Sequence, residues 1–450
     1  MLIIRVKKMK INYVSLGCKV NTYETVAVVN MFVKNGFEVV SLDEESDVTI
    51  INTCTVTQTS DSKSRKTIRQ IARQNPNSII CVMGCYAQLN SEEASKIDGV
   101  SIVVGSSNRK LIYELVMEKI NGYTSGTINK CEDYNEITEY EDLTLDHYDT
   151  KTRGFVKIQD GCENFCSYCT IPYSRGKFRS RPKDSVIKEI NHLTELGMKE
   201  IVLTGINTGA YGMDFDDYNF PNLLQDIIKD VKNVGRIRIS SIEVTEVTDE
   251  LIAVMKDNPQ HFCNHLHIPL QGGSDEILKK MNRKYDTKYY EEKIRHVKEL
   301  LPGVNITADL LVGFNGETDE LFRKAYEFVN KVEFGETHIF PYSPRSKTKA
   351  YQDSKLIHFA DRVDGITMKK RVKELLDLNK INALKYRNKF LGQTVDIIVE
   401  EIIDGKCVGH SSNYLLVSFP SINNKPNDLV KVKITKIGYP MCEGVIDVIQ

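Results

Sequence analysis

Six of the eleven cysteines fall into two sets whose spacing suits iron–sulfur ligation. The tighter set, Cys162, Cys166 and Cys169, forms a C-x3-C-x2-C run. Three soft thiolates this close on one loop can hold three irons of a [4Fe–4S] cluster and leave the fourth iron open to a non-protein ligand. The plainer reading is a structural zinc loop, for which His192 or Cys263 would have to supply the missing ligand from a distance. The wider set is Cys18, Cys54 and Cys85, within Gly17-Cys-Lys-Val-Asn21, Asn52-Thr-Cys-Thr-Val-Thr57 and Gly84-Cys-Tyr-Ala-Gln88. These three are either a second cluster site with its own open iron or small apolar side chains capping a core.

The elements around them decide how the sets are presented. From Lys10 to Gly122 the pattern alternates β-rich runs (10–16, 47–52, 78–83 and 100–104) with helical stretches (22–35, 59–75 and 111–120), which predicts a doubly wound α/β domain over 9–122. Each cysteine of the wider set then falls just past the carboxyl end of a strand, the edge where open α/β sheets build sites. Residues 131–150 hold Glu132, Asp133, Glu136, Glu139, Glu141, Asp142, Asp146 and Asp149 with no Lys or Arg. That predicts an extended acidic linker, bounded at 123–150.

A second βα series follows over 151–380, with strand-like runs at 155–159, 200–204, 236–241, 265–269, 307–312 and 337–340. Six strands fall short of a full eight-stranded barrel, so a partial (β/α)6 barrel is expected, with the tighter cysteine set directly after its first strand. A long charged helix over 359–389 leads into five short strand-like runs, and 381–450 is expected to form a small OB-like β-barrel.

The chain of 450 residues balances 60 Lys+Arg against 61 Asp+Glu, so any nucleic-acid binding must come from local patches. One such patch is Arg175, Lys177, Arg179, Arg181 and Lys183, without an intervening acid, directly after the cysteine loop; it is expected to contact an RNA backbone. Lys63, Arg65, Lys66, Arg69 and Arg73 on the predicted second helix, and Lys425, Lys431, Lys433 and Lys436 near the carboxyl end, are further candidates, the former more simply a solvated face. No apolar run reaches bilayer-spanning length, so no membrane partner and a cytoplasmic location are expected. Disulfides are unexpected in such a chain.

The C-x3-C-x2-C run at the end of a first barrel strand resembles the radical S-adenosylmethionine superfamily. Taken with the wider cysteine set and the domain order, the chain resembles the methylthiotransferase family, whose third domain is a TRAM domain that contacts tRNA. Further stretches agree: Gly161 to Pro172, Leu203-Thr-Gly-Ile-Asn-Thr-Gly-Ala-Tyr211, His267-Ile-Pro-Leu-Gln-Gly-Gly-Ser-Asp275 and Asp309-Leu-Leu-Val-Gly-Phe314. Asn315 departs from the usual Pro. The resemblance implies two [4Fe–4S] clusters, one on Cys162, Cys166 and Cys169 that cleaves S-adenosylmethionine and one on Cys18, Cys54 and Cys85 that delivers sulfur. It also implies cofactor contacts from Tyr168 near the adenine, Gly205 and Asn207 near the methionine end, and Asp309 near the ribose.

The implied reaction turns an aromatic C–H bond into C–S–CH3, a second S-adenosylmethionine giving the methyl group. The residues around Cys18 and Cys54 look most like the branch acting on N6-threonylcarbamoyladenosine at position 37 of tRNA. The branches acting on N6-isopentenyladenosine and on a ribosomal-protein Asp rank second and third. A non-catalytic iron–sulfur RNA-binding sensor is the alternative from another class. The sequence leaves the reductant, the sulfur donor and the roles of Cys81, Cys131, Cys263, Cys407 and Cys442 unassigned, although Cys81, on a predicted strand, reads as core. Glu317 reads as a solvated carboxylate.

Overall fold

A computed structural model describes residues 8–145 and 152–447, so Asp146, Asp149 and the 150/151 boundary lie outside the described residues. These fall into two compact units. The first comprises the described residues up to 145 with Asp160–Phe165 and Cys169–Arg181; the second comprises 152–159, Cys166–Tyr168 and the chain from Pro182 onward.

The first unit is built on a parallel sheet of six strands. In chain order these are Lys10–Ser15, Glu38–Val39, Val48–Thr53, Ile79–Gly84, Val100–Val103 and Ile128–Asn129, and in space the second lies outside the first while the others follow in sequence. The order therefore reverses between Lys10–Ser15 and Val48–Thr53, the switch point at which open α/β sheets form crevices. The two shortest strands, each of two residues, are too short to show as periodicity. Val48–Thr53 is buried at every position, as expected of a strand covered on both faces. The helix Gln58–Gln74 starts where the Thr57 side chain accepts a hydrogen bond from the Ser60 N–H at 3.0 Å, and it buries Ser64, Ile68 and Ile71 at helical spacing. Cys81 is fully buried in this core, among Ile50, Met83 and Ile102.

Residues 131–145 contain no helix or strand, yet they are packed. Leu143 and Leu145 are buried against Tyr23 and Ala27, and the Tyr23 hydroxyl donates to the Leu143 carbonyl at 2.6 Å. The acidic stretch is thus part of the first unit's fold along its described length.

In the second unit the strands Gly154–Lys157, Glu200–Thr204 and Arg236–Ile239 form one parallel sheet, and His265–His267, Asn305–Val312 and Glu336–Pro341 another. Parallel bridges between Ile237 and Phe262 and between Ser241 and His267 join them into a six-stranded partial barrel. The helix Gly365–Asn388 packs on the last two strands and runs past residue 380 without a break. Five antiparallel or parallel-paired strands between Thr394 and Ile446 then close into a small barrel in the order first, second, third, fifth, fourth, with Cys407 and Cys442 in its core. Among the described residues no helix is long and apolar enough to cross a membrane.

Candidate functional site

The wider cysteine set gathers at the switch point of the first sheet. Cys18 follows the first strand and is the N-cap of the helix Lys19–Lys34; Cys54 and Cys85 follow Val48–Thr53 and Ile79–Gly84 directly. A Cβ on Gly17 would lie 2.9 Å from the Cys54 Cβ and 3.0 Å from its Sγ, so the absence of a side chain there is what lets the first two cysteine loops touch. Asn21 and Asn52 clamp the same loops: the Asn21 amide donates to Asn52 Oδ1 at 3.1 Å and to the Thr53 carbonyl at 3.0 Å, and Asn52 returns a bond to the Asn21 carbonyl. Gly84, at φ +96°, occupies backbone closed to other residues, and a Cβ there would meet Asn52 Oδ1 at 2.2 Å.

Burial pushes the Cys54 thiol up, and the negative charge of an ionised Cys85 pushes both Cys18 and Cys54 further. Although Cys18 as a residue is exposed, its sulfur points inward to Asn21 Oδ1 at 3.4 Å, and burial is the main cause of its upward shift. Of these neighbouring thiols, Cys18 and Cys54 resist losing their protons to water, which suits a metal cluster that takes the protons' place and supplies positive charge.

Beside them lies a buried ion cluster. Arg175 is fully buried; its Nε is 3.2 Å from the Cys85 Sγ, its Nη2 donates to Asn21 Oδ1 at 2.9 Å, and its Nη1 pairs with Glu24 and Asp160. Arg109 pairs with the same Glu24 and with Glu141 at 2.7 Å, and Arg179 reaches Asp160 at 3.5 Å. Burial works against the charge on Arg175, but Cys85, Glu24 and Asp160 more than offset it and hold its pKa above that of an ordinary arginine. Arg181 is also fully buried, 2.8 Å from Asp142.

This corrects the expectation of an RNA-binding run. Arg175, Arg179 and Arg181 are internal structural cations with carboxylate partners, and they offer no charge to a phosphate backbone. Lys177 and Lys183 remain exposed, Lys183 with its ammonium 3.0 Å from Asp226. On the helix Gln58–Gln74, Lys63, Lys66, Arg69 and Arg73 are exposed, while Arg65 lies over the Tyr86 ring.

The tighter set sits on a loop without regular structure. Its entry requires Gly161, whose Cβ would come 1.7 Å from the Lys177 carbonyl oxygen, and it turns at Phe165, a bulky residue held at φ +44°. Such backbone typically costs about 1–3 kcal/mol and clusters where a ligand needs a particular loop shape. Cys162, Cys166 and Cys169 are half-buried. The Cys169 Sγ accepts from the Ile171 N–H at 3.4 Å, and the Cys166 Sγ accepts from Arg283 at 3.1 Å. N–H donors aimed at sulfur are the surroundings an iron–sulfur cluster uses to balance its negative charge. Arg283, in turn paired with Glu243, carries no signal in the sequence, being 117 residues from Cys166.

The other expected cofactor residues lie in the second unit. Tyr168 stands edge-on to Phe314, ring centroids 6.3 Å apart, at the border of a core cluster. Gly205 leaves 3.0 Å between an added Cβ and Gln159 Oε1. The Asn207 N–H donates to Gln159 Oε1 at 2.8 Å, and its side chain donates to Glu246 Oε1 at 2.7 Å. Burial and then the neighbouring Glu243 raise Glu246 to about 8, so this carboxyl is mostly protonated at neutral pH. Its second oxygen, Oε2, is buried without a hydrogen-bond partner, and Gly209 leaves the space it occupies. Asp309 pairs with His267 at 3.3 Å. Glu317 is buried and paired with Arg371 at 2.8 Å, contrary to its reading as a solvated carboxylate.

Comparison with known proteins fits this arrangement. The Radical SAM superfamily profile matches residues 156–329, and that of an uncharacterized family, UPF0004, matches 10–105. The threonylcarbamoyladenosine tRNA methylthiotransferase MtaB of Bacillus subtilis (strain 168) is 42% identical over 441 residues, covering 96% of this chain and 94% of that one. The chain belongs to the radical SAM methylthiotransferase family. Within it, MtaB of Thermotoga maritima is 34% identical over 96% of this chain and 95% of its own. The tRNA-2-methylthio-N(6)-dimethylallyladenosine synthase of Thermoanaerobacter sp. (strain X514) is 33% identical over 96% of this chain and 92% of its own. Among solved structures, the radical S-adenosylmethionine methyltransferase TsrM from Kitasatospora setae superposes with a TM-score of 0.59 at 14% identity, over 77% of each chain, which shows a shared fold. A radical SAM methylthiotransferase uses a [4Fe–4S] cluster and S-adenosylmethionine.

Proposed function

We propose that this protein is a tRNA methylthiotransferase that converts N6-threonylcarbamoyladenosine at position 37 to its 2-methylthio derivative. The observation that carries this reading is the near full-length identity to the MtaB enzymes, whose names state that substrate. The relatives named for dimethylallyladenosine, at 33% and 34% against the 42% of the Bacillus subtilis MtaB, share the chemistry, so they compete only for the choice of base.

Cys162, Cys166 and Cys169 would hold the cluster that binds S-adenosylmethionine, and Cys18, Cys54 and Cys85 a second [4Fe–4S] cluster that carries sulfur. When bound, these groups supply a 5′-deoxyadenosyl radical for removing the C2 hydrogen and a sulfur atom to replace it. The chain's own residues hold both sites in shape. Asn21 and Asn52 tie the Cys18 and Cys54 loops together, and Gly17 and Gly84 let the strand ends approach. Arg175 sets a fixed positive charge against Cys85, and Arg283 does the same for Cys166. Gly205, Asn207 and Tyr168 are the proposed cofactor contacts. Asn207 is fixed by Gln159 and by the protonated Glu246, which keeps that wall of the barrel free of a buried charge.

The exposed Lys63, Lys66, Arg69 and Arg73, with Lys177, Lys183 and the outward-facing Lys425, Lys431, Lys433 and Lys436, are proposed to meet tRNA phosphates in the cytoplasm. The three domains proposed are an N-terminal cluster domain, against which the described acidic segment packs, the radical core and a TRAM barrel. The test is anaerobic turnover by reconstituted protein with a reductant, S-adenosylmethionine and a tRNA carrying N6-threonylcarbamoyladenosine. The 2-methylthio nucleoside and 5′-deoxyadenosine should form together; a reconstituted protein that makes neither would support the non-catalytic sensor instead.

A further inference from the structure

The inner face of the partial barrel carries a polar cluster that the cofactor residues above do not account for. Along His265–His267, Asn305–Val312 and Glu336–Pro341 the side chains alternate. Leu266, Ile306, Ala308 and Leu310 are buried, and the Thr337 N–H is capped by Asn379 of the covering helix Gly365–Asn388. The opposite, concave face therefore presents His265, His267, Thr307, Asp309 and His338. Register confirms the grouping: His267 lies opposite Thr307, and Asp309 opposite His338.

The hydrogen bonds on this face run in one direction. Thr307 Oγ1 is 2.9 Å from His265 Nε2 and 2.9 Å from His267 Nδ1, and the other nitrogen of His267 is 3.3 Å from Asp309. A hydroxyl has one proton to give. If His267 Nε2–H donates to Asp309, then Thr307 donates to His267 Nδ1 and accepts from His265. That orientation satisfies every bond in the chain, and at the open end of the face it leaves the second oxygen of Asp309 and both ring nitrogens of His338 to a ligand. Among the described residues His338 is exposed and has only a ring contact with His267, centroids 5.6 Å apart. Phe340, next on the same face, is 46% exposed and offers an apolar plane beside it.

The chemistry of the substrate matches what is left unused. In adenine, C2 and C6 flank the ring nitrogen N1 and N6 is attached to C6, so placing C2 at the radical site brings the N6 substituent into the same lumen. A threonylcarbamoyl substituent brings urea N–H groups and a hydroxyl that need acceptors, and a carboxylate that needs donors. An isopentenyl substituent brings neither, and would strip water from Asp309 and His338 without replacing it. A site built to hydrogen-bond a polar group rejects its apolar analogue far more strongly than the reverse.

We propose that His338 and Asp309 read the threonylcarbamoyl group, His338 donating to it and Asp309 accepting from it, with His267 and Thr307 holding Asp309 in place. This rests on the proposed function and narrows it to the residues that choose the base. It also gives Asp309 to the substrate in place of the ribose that the family resemblance suggested.

The experiment measures binding of reconstituted full-length protein to anticodon stem-loop RNAs carrying N6-threonylcarbamoyladenosine, N6-isopentenyladenosine or adenosine at position 37, by fluorescence anisotropy. Wild type should prefer the threonylcarbamoyl RNA. His338→Phe should lower that preference by roughly 10- to 100-fold while leaving affinity for the unmodified RNA unchanged, and His338→Gln, which keeps a donor, should retain part of it. A His338→Phe protein with the wild-type preference would overturn the proposal. Wild type without any preference for the threonylcarbamoyl RNA would overturn the functional reading itself, before a variant is made. Three ligand atoms within 4.8 Å of one another also suit a divalent cation. One Zn2+ bound per chain in equilibrium dialysis and lost in His338→Phe, with RNA selectivity unaltered, would make the cluster a metal site and overturn the assignment.

Discussion

Replacing Arg175 by Leu tests whether the buried ion cluster behind Cys85 is structural. In the native cluster three guanidinium groups, Arg109, Arg175 and Arg179, face three carboxylates, Glu24, Glu141 and Asp160. The variant leaves one carboxylate charge uncompensated at a place where the Glu24 and Asp160 side chains are 0% and 2% exposed. Removing one partner of a buried pair costs about 3–5 kcal/mol. Arg109 still reaches both Glu24 and Asp160, so the loss should fall near the lower end, about 3 kcal/mol. With a urea m-value of about 3 kcal/mol/M, the midpoint of the metal-free protein, followed by circular dichroism, should drop by about 1 M. Adding Glu24→Gln removes the surplus charge, so the double variant should recover stability relative to Arg175→Leu alone. A loss below about 1 kcal/mol for Arg175→Leu, or a double variant whose cost is the sum of the two single costs, would refute this reasoning.

Other perturbations reach the site by different routes. Gly84→Ala forces a Cβ into the Asn52 side chain and the Thr53 carbonyl at a backbone angle reserved for glycine; it should lower stability by more than about 3 kcal/mol, as urea denaturation would show. Cys85→Ser should reduce iron from roughly eight to roughly four atoms per chain while the remaining cluster keeps its brown colour, measured by iron assay and absorbance. Glu246→Gln should flatten part of the pH dependence of stability. The folded-state pKa of Glu246, about 8, lies above its unfolded value of 4.5, so its contribution is complete below pH 4.5 and is lost as pH rises through 8. Urea midpoints of wild type and variant should therefore diverge between pH 5 and 8.5, wild type losing more; parallel curves would show that Glu246 ionises normally.

The sequence was most legible where periodicity and chemistry coincide. Cys18, Cys54 and Cys85 stand just past strands whose apolar runs are plain, because a strand buried on both faces is written as a continuous β-branched stretch. Barrel strands such as Arg236–Ile239 and His265–His267 show instead an alternation of polar and apolar residues, and the register that sets His338 opposite Asp309 follows once the strands pair in parallel order. What the sequence hid was long-range charge pairing. Arg175, Arg179 and Arg181 look like an open basic run because their acids are remote in the chain: Glu24 lies 151 residues from Arg175. Composition records charge but not burial. For the same reason the acidic segment reads as a linker, although Glu141 pairs with buried Arg109 and Leu143 and Leu145 join a core. Arg283 beside Cys166 has no local signature at all.

The identity of the modified base is decided by nucleoside mass spectrometry of tRNA. A host lacking this gene would be compared with the same host after its restoration. On restoration 2-methylthio-N6-threonylcarbamoyladenosine should appear and N6-threonylcarbamoyladenosine should fall in proportion. A change confined to the 2-methylthio-isopentenyl nucleoside, or no change in any tRNA nucleoside, would contradict the proposed substrate.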